Sequence, residues 1–334
     1  KDIVDRYLFN KYKITNKNSR IDVLRKKAYE QAIENLNKAD IKKNKLFCLT
    51  LPTGLGKTLI GMSVAIKLRN RIFAEYGFLP KIIYTAPFLS ILDQNKYVYE
   101  DVLKNEFGDI PSTLFFTHHH LSDVLYYENN EEKRPLEPEK ALVLIEGWHS
   151  EIIVTTFMQL FYSLITNRNR AVRKFHNLVN SIIIFDEPQT IPVKYWKLIE
   201  KVLDYFTNEY KCFVILMSAT QPLIFEDKKY IGLTNESDYF KNVNRYIIQF
   251  EGEYSIEEFK NILIEKIKKT DKDIMVILNT IESCKNIYSS IKKEFNGAAT
   301  SDESGICQLG DSTLLINLST NIIPLHRLKR IEKI

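Results

Sequence analysis

The sequence predicts an α/β fold: a parallel sheet with helices on both faces. Three observations carry that expectation. Strand-length apolar runs alternate with helix-length amphipathic stretches. The runs are continuous and rich in Ile and Val rather than alternating apolar with polar, as strands buried on both faces require. The alternation breaks once, over residues 221–244, and then resumes, so the 334-residue chain divides into two bodies.

The elements follow in order. Residues 1–19 are basic and polar and read as a linker or N-terminal extension entering from something upstream. The first lobe is expected over residues 20–225. Its strands fall at 46–51, 81–86, 113–116, 151–154, 181–185 and 212–217. Helices are expected at 57–69, 88–103 and 192–206. Residues 127–140, charged and holding two prolines, read as a surface loop. The second series covers 245–334, with strands at 245–250, 273–278 and 314–318 and helices at 256–269, 281–295 and 324–334. At about 90 residues it is shorter than a lobe matching the first, so a C-terminally truncated second lobe is expected.

Composition narrows the class. Hydrophobic residues make up 45% and charged residues 27%, as in an ordinary soluble chain. No apolar run approaches the roughly 18 residues of a membrane span, and no signal peptide opens the chain. Cys48, Cys212, Cys284 and Cys307 are scattered without metal-ligand spacing, which fits a reducing cytoplasm. The net charge of +5 is compatible with nucleic acid and equally with a plain solvated surface. The first residue is Lys rather than Met, so the chain reads as an excised or processed piece.

The strongest chemical signal is Leu51-Pro52-Thr53-Gly54-Leu55-Gly56-Lys57-Thr58. It follows an apolar strand and opens a helix, the context of a phosphate loop. Glycines let backbone amides close around phosphate oxygens, and the helix N-terminus adds free N–H groups and positive potential. Lys57 can reach the β- and γ-phosphates of ATP, and the Thr58 hydroxyl can ligate Mg²⁺. Leu51 stands where the general pattern has Gly; the form present is similar to the variant of superfamily 2 helicases.

A second signal is the apolar run 182–185 ending in Asp186-Glu187-Pro188-Gln189. Asp186 is expected to hold Mg²⁺, and Glu187 to orient and deprotonate the attacking water. By itself, Asp-Glu after a strand is often a solvated turn; downstream of a phosphate loop it reads as the second half of a nucleotide site. Gln189 and the later Ser218-Ala219-Thr220 then fall where such motors couple hydrolysis to movement, although Ser-Ala-Thr alone also suits a strand-ending turn.

Candidate nucleic-acid contacts are Pro87 and Gln94 after the second strand, Thr155 and Thr156 after the strand at 151–154, and Asn279 and Thr280 in the second lobe. Helix capping is an equal reading for Thr156. His118-His119-His120 is no metal expectation, because adjacent side chains diverge and no further ligand follows at suitable spacing. Trp148 could stack on a base, though a core or lobe-edge role suits it better.

Several longer stretches extend the motifs: Ile82 to Phe88 with Ser90, Ile91 and Gln94; Glu146-Gly147-Trp148 through Thr156 to Phe161; Arg173-Lys174-Phe175-His176-Asn177-Leu178 leading to Asp186 and on to Pro192; and Leu318-Ser319-Thr320 with Pro324, His326 and Arg327. In these the chain resembles the helicase portion of the CRISPR-associated helicase-nuclease family of type I systems. The resemblance covers residues 20–334. It implies RecA-like lobes and a 3′→5′ translocase on single-stranded DNA, driven by ATP and Mg²⁺. It further implies recruitment by an RNA-guided type I surveillance complex and delivery of DNA to an HD-type nuclease domain or subunit. The chain shows no paired His-Asp motif, so nuclease activity is not expected of it. The family's later second-lobe motifs, with arginines that reach the γ-phosphate, fall beyond Ile334, so ATP binding with weak hydrolysis is the expectation for this stretch alone. Another superfamily 2 DNA or RNA helicase, or a nucleotide-gated binding module without turnover, are the alternatives.

Overall fold

The computed structural model describes residues 2–15, 19–119, 126, 136–165, 172–220, 230–241, 247–299, 305–310 and 313–334. The chain forms two compact units, Lys1–Arg245 and Tyr246–Ile334. Among the described residues no helix is long and apolar enough to cross a membrane.

The first unit is built on a parallel sheet of β1 (Leu46–Thr50), β2 (Ile82–Ala86), β3 (Phe115–His118), β4 (Ile152–Thr156), β5 (Ile182–Asp186), β6 (Phe213–Ser218) and β7 (Ile231–Gly232). Their spatial order is β3-β4-β2-β5-β6-β1-β7. Every residue of β1, β2, β4, β5 and β6 is buried, which is why these runs are continuously apolar. Successive side chains serve opposite cores. Phe47, Leu49, Tyr84, Ile184, Ile215 and Met217 point into one; Cys48, Ile83, Ile183, Phe185, Val214 and Leu216 point into the other.

The first core is covered by α1 (Ile3–Thr15), α2 (Arg20–Lys38), α3 (Lys57–Tyr76) and α4 (Leu89–Phe107). Gly61 on α3 allows close seating on the sheet: a Cβ there would meet the Met217 sulfur at 2.0 Å. On the other side α5 (Pro138–Gly147) packs Ala141 and Ile145 against Tyr126. The second core lies under α6 (Phe157–Ile165), α7 (Phe175–Leu178) and α8 (Trp196–Glu209). The parallel lobe with helices on both faces is therefore as the sequence predicts.

Four local expectations are corrected. Residues 1–19, expected as a linker or N-terminal extension, are largely helix α1 rather than an open linker. Its Val4 and Tyr7 enter the main core, and Lys67 of α3 pairs with both Asp2 and Asp5 at 2.9 Å. The helical spacing of Ile3, Val4, Tyr7 and Leu8 is diluted by the charges between them. The strand expected at 113–116 begins two residues later, because a turn from Pro111 takes up the N–H groups of Leu114 and Phe115. The helix expected at 192–206 opens as a 3₁₀ turn, Val193–Tyr195, before α8. The connection expected over 221–244 contains β7 and the short α9 (Glu236–Phe240), pinned by buried Leu233 and Tyr239; residues 221–229 and 242–244 lie outside the described residues.

The second unit contains α10 (Ile256–Lys269), opened by a capping box of Ser255 and Glu258, and α11 (Ile281–Glu294). They pack Leu263, Ile287 and Ile291 together. An antiparallel sheet follows, with β8 (Ala298–Ala299), β9 (Ile306–Leu309) and β10 (Thr313–Ile316), and then α12 (Pro324–Ile331). The strands expected at 245–250 and 273–278 are not formed among the described residues. Val276 and Leu278 rest on the helix cluster, whereas Met275 and Ile277 are 84% and 81% exposed. An apolar run becomes a strand only beside a hydrogen-bonding neighbour, and here none is paired with it.

Candidate nucleotide-binding site

The loop between β1 and α3 runs along the C-terminal edge of the sheet. Leu51 and Leu55 are buried in the main core, which anchors the loop from beneath. Gly54 and Gly56 both have φ of 82°, a left-handed conformation that strains any residue with a Cβ. Gly56 supplies no side-chain cap, so the first N–H groups of α3 face the loop. Arg25 of α2 grips the loop from outside, donating through Nε and Nη2 to the Gly54 carbonyl at 3.0 and 2.9 Å.

Glu187 follows β5 with φ 54° and ψ 52°. A non-glycine residue held there stores about 1–3 kcal/mol of strain. The turn is fixed by the Glu187 N–H, which donates to the Met217 carbonyl at 2.8 Å, and by Pro188 behind it. As a result the carboxylate faces the phosphate loop and pairs with Lys57. Burial pushes the Glu187 carboxyl up, but hydrogen bonds from Lys57 and Gln189 outweigh it and hold the group below its ordinary range. It is thus an ionised acceptor.

Asp186 is buried at the end of β5. Burial lifts its carboxyl above the ordinary range, against the hydrogen bond from Tyr84 and the charge of Lys57. Tyr84 OH donates to Asp186 Oδ2 at 2.5 Å, and Asn95 Nδ2 donates to the same oxygen at 3.1 Å. The Thr58 hydroxyl donates to Asn95 Oδ1 at 2.9 Å. Thr58 and Asp186 therefore share one bridging side chain. A hydroxyl and a carboxylate are hard oxygen donors of the kind Mg²⁺ takes, and a buried carboxylate raised by desolvation gains most from a cation. The residues fit a Mg²⁺-bound nucleotide.

Gln189 closes the site. Its Nε2 donates to Glu187 Oε2 at 2.5 Å, while its Oε1 lies 3.1 Å from the Ser218 hydroxyl. That hydroxyl also accepts from the Thr220 N–H at 2.9 Å, and the Ala219 N–H reaches Glu187 at 3.4 Å. The Leu51 N–H donates to the Ser218 carbonyl at 3.1 Å, so the phosphate loop and the Ser-Ala-Thr turn are joined directly. Pro52, Thr53, Gly54, Leu55, Gly56, Lys57, Thr58, Asp186, Glu187, Gln189, Ser218 and Thr220 thus lie along one sheet edge. Sequence reasoning missed Arg25, Tyr84 and Asn95, since a single polar residue on a helix or strand makes no pattern.

The other candidates are more dispersed. Pro87 is half-buried at the turn after β2, and Gln94 is exposed on α4. The buried Thr155 hydroxyl donates to the His118 carbonyl at 2.6 Å. Thr156 accepts from the Gln159 N–H at 3.4 Å and caps α6. In the second unit Asn279 is exposed and Thr280 caps α11, accepting from the Ser283 N–H at 3.1 Å. Trp148 is 1% exposed, so it is not offered to a base.

Trp148 instead organises a buried polar group under the β3 edge. Its indole N–H donates to His118 Nδ1 at 2.9 Å, and the Lys174 ammonium lies 5.2 Å from its ring centre. Burial pushes the Lys174 ammonium down to about 8, despite the charge of Glu146. Burial, with Lys174 and His119 beside it, pushes the His118 imidazole down to about 3; His120 lies outside the described residues. An unfolded chain protonates this histidine near its ordinary 6.5 and the folded one does not. Stability attributable to His118 therefore falls as the pH drops from 6.5 towards 3, by at most about 1.4 kcal/mol per pH unit. Urea melts at pH 7 and pH 5 check this: His118→Gln, which still accepts from Trp148, is expected to show the shallower acid loss.

The chain is similar to known proteins across most of its first unit. The family model described as type III restriction enzyme, res subunit, matches residues 23–223. The chain is 35% identical over 211 residues to the CRISPR-associated nuclease/helicase Cas3 of Haloferax volcanii, covering 61% of this chain and 22% of that protein. The chain therefore spans less than a quarter of that relative. Among solved structures, T. fusca Cas3 with ATP is 20% identical, covering 56% of this chain and 20% of that one, with a TM-score of 0.42. The DEAD-box helicase Mss116 bound to ssRNA and UDP-BeF is 12% identical, covering 80% of this chain and 53% of that one, with a TM-score of 0.46. The matched span takes in the phosphate loop, the Asp-Glu strand end and the Ser-Ala-Thr turn, and by that match the chain belongs to the family of the type III restriction enzyme res subunit.

Proposed function

We propose that this chain carries the ATP-binding lobe of a superfamily 2 helicase of CRISPR interference. In this reading ATP and Mg²⁺ bind at the loop of Lys57 and Thr58, and hydrolysis drives 3′→5′ movement along single-stranded DNA. The observation that carries it is the continuous set of contacts from Lys57 through Glu187 and Gln189 to Ser218. A chain of this kind connects the γ-phosphate position to the turn after β6, so that loss of a phosphate is felt at that turn.

The roles follow from the contacts. Lys57 exchanges its pairing with Glu187 for a phosphate oxygen when ATP enters. Glu187, then relieved of its cation, accepts the proton of the attacking water. Asp186 and Thr58 would hold Mg²⁺, which supplies charge neutralisation at the phosphates. Gln189 keeps Glu187 oriented and reports on it to Ser218. Pro87, Gln94, Thr155, Thr156, Asn279 and Thr280 remain the candidate strand contacts. The scattered cysteines suit a reducing cytoplasm, and the resemblance to the CRISPR-associated helicase-nuclease family implies an RNA-guided type I surveillance complex as recruiter and an HD-type nuclease domain or subunit as recipient of the DNA.

The test is ATPase activity of the full-length protein with single-stranded DNA or RNA, compared with Lys57→Ala. DNA-stimulated turnover that Lys57→Ala abolishes is the expected result. Preferential stimulation by RNA would instead indicate another superfamily 2 helicase. ATP binding with no turnover under either condition would indicate a nucleotide-gated binding module.

A further inference from the structure

Thr58 and Asp186 come from different elements, one from the first turn of α3 and the other from the end of β5. A third element, α4, joins them through Asn95. This side chain is 6% exposed and its amide is fully engaged on the site. Its nitrogen donates to Asp186 Oδ2 and to Tyr84 OH, and its oxygen accepts from Thr58. In this orientation the amide nitrogen, a donor, faces oxygens of Asp186 and Tyr84, and the amide oxygen, an acceptor, faces the Thr58 hydroxyl.

We propose that Asn95 is a positioning residue for the Mg²⁺–nucleotide complex, holding the Thr58 hydroxyl and the Asp186 carboxylate in mutual register. The inference rests on the nucleotide reading given above. By taking the Thr58 proton, Asn95 leaves only lone pairs on the open side of that hydroxyl. A cation bound there makes the hydroxyl a stronger donor, which tightens its bond to Asn95. On Asp186, Asn95 and Tyr84 both engage Oδ2, and among the described residues no hydrogen bond is made to Oδ1. The carboxylate is thus pinned by one oxygen while the other stays available. Groups that orient metal ligands in this way typically contribute about 10–100-fold in metal affinity.

A role in merely seating α4 on the sheet predicts something different, so the experiment separates metal-dependent from metal-independent binding. Affinity for a fluorescent ATP analogue is measured with Mg²⁺ and again in EDTA, on the full-length protein. Asn95→Leu keeps the branched shape without hydrogen-bonding groups, and Asn95→Ala removes the amide without adding bulk. Melting curves establish that the variants fold, and either folded variant is decisive. The gain in affinity that Mg²⁺ brings is expected to shrink by about 10–100-fold in these variants, with affinity in EDTA unchanged. Bound Mn²⁺, read by electron paramagnetic resonance in the presence of nucleotide, should weaken in parallel. An unchanged Mg²⁺ gain in a folded variant, or equal losses with Mg²⁺ and in EDTA, overturns the proposal. Should neither variant fold, Asn95 is a structural residue and the proposal fails as well. Lys57→Ala is measured alongside: if it binds the analogue as the parent does, the nucleotide reading itself is wrong, whatever Asn95 does.

Discussion

Glu187→Gln is expected to lower ATP hydrolysis by about 10²–10⁴-fold, the usual contribution of a positioned general base. Binding should move the other way. In the folded protein Lys57 and Glu187 are partners, so a phosphate oxygen that engages Lys57 competes with that carboxylate. The amide of Gln carries no charge to hold Lys57 back, and it can still meet Gln189. ATP is therefore expected to bind at least as tightly and to remain unhydrolysed. Single-turnover phosphate release, with nucleotide affinity measured on the same sample, checks both halves. Hydrolysis at the parental rate would mean that another group takes the proton.

Trp148→Ala is expected to cost about 3–5 kcal/mol of stability, the range for emptying a large aromatic site. The ring packs in the core formed by Ile153, Phe157 and Leu160. Its loss also leaves the His118 nitrogen without its donor and the Lys174 ammonium without the ring it lies against. Trp148→Phe keeps most of the apolar contact and forfeits the indole N–H, so a smaller cost is expected, with the hydrogen bond itself worth roughly 0.5–1.5 kcal/mol. Urea unfolding of the two variants gives the comparison. A change in Trp148→Ala no greater than the roughly 0.5 kcal/mol of a surface site would contradict this role.

How far the sequence reached depended on whether a segment's partners are local. The strands β1, β2, β4, β5 and β6 are continuous apolar runs because they are covered on both faces, and their ends fell within a residue or two of expectation. The loop was legible because its turns demand glycine at positions of positive φ, and the Asp-Glu pair because it ends a continuous apolar strand. Other features depend on partners far along the chain. Helix α1 is held by Lys67, Glu106 and Asp101, none of which its own sequence announces. Residues 273–278 have the composition of a strand, yet a strand exists only in a pair. On α4 the sequence drew attention to Gln94, while its neighbour Asn95 is the residue turned inward. A single step along a helix turns the side chain by about 100°, and periodicity alone does not say which polar residue closes onto a site.

The uncovered apolar surface of the second unit has a colloidal consequence. Ile247, Ile248 and Phe250 stand 91%, 93% and 89% exposed, and Met275 and Ile277 are nearly as bare. Such side chains gain by meeting each other across molecules as readily as within one. Charged replacements there forfeit almost no packing, so a screen for soluble expression is expected to concentrate its hits on those positions and leave the loop at Lys57 and the strand end at Glu187 untouched.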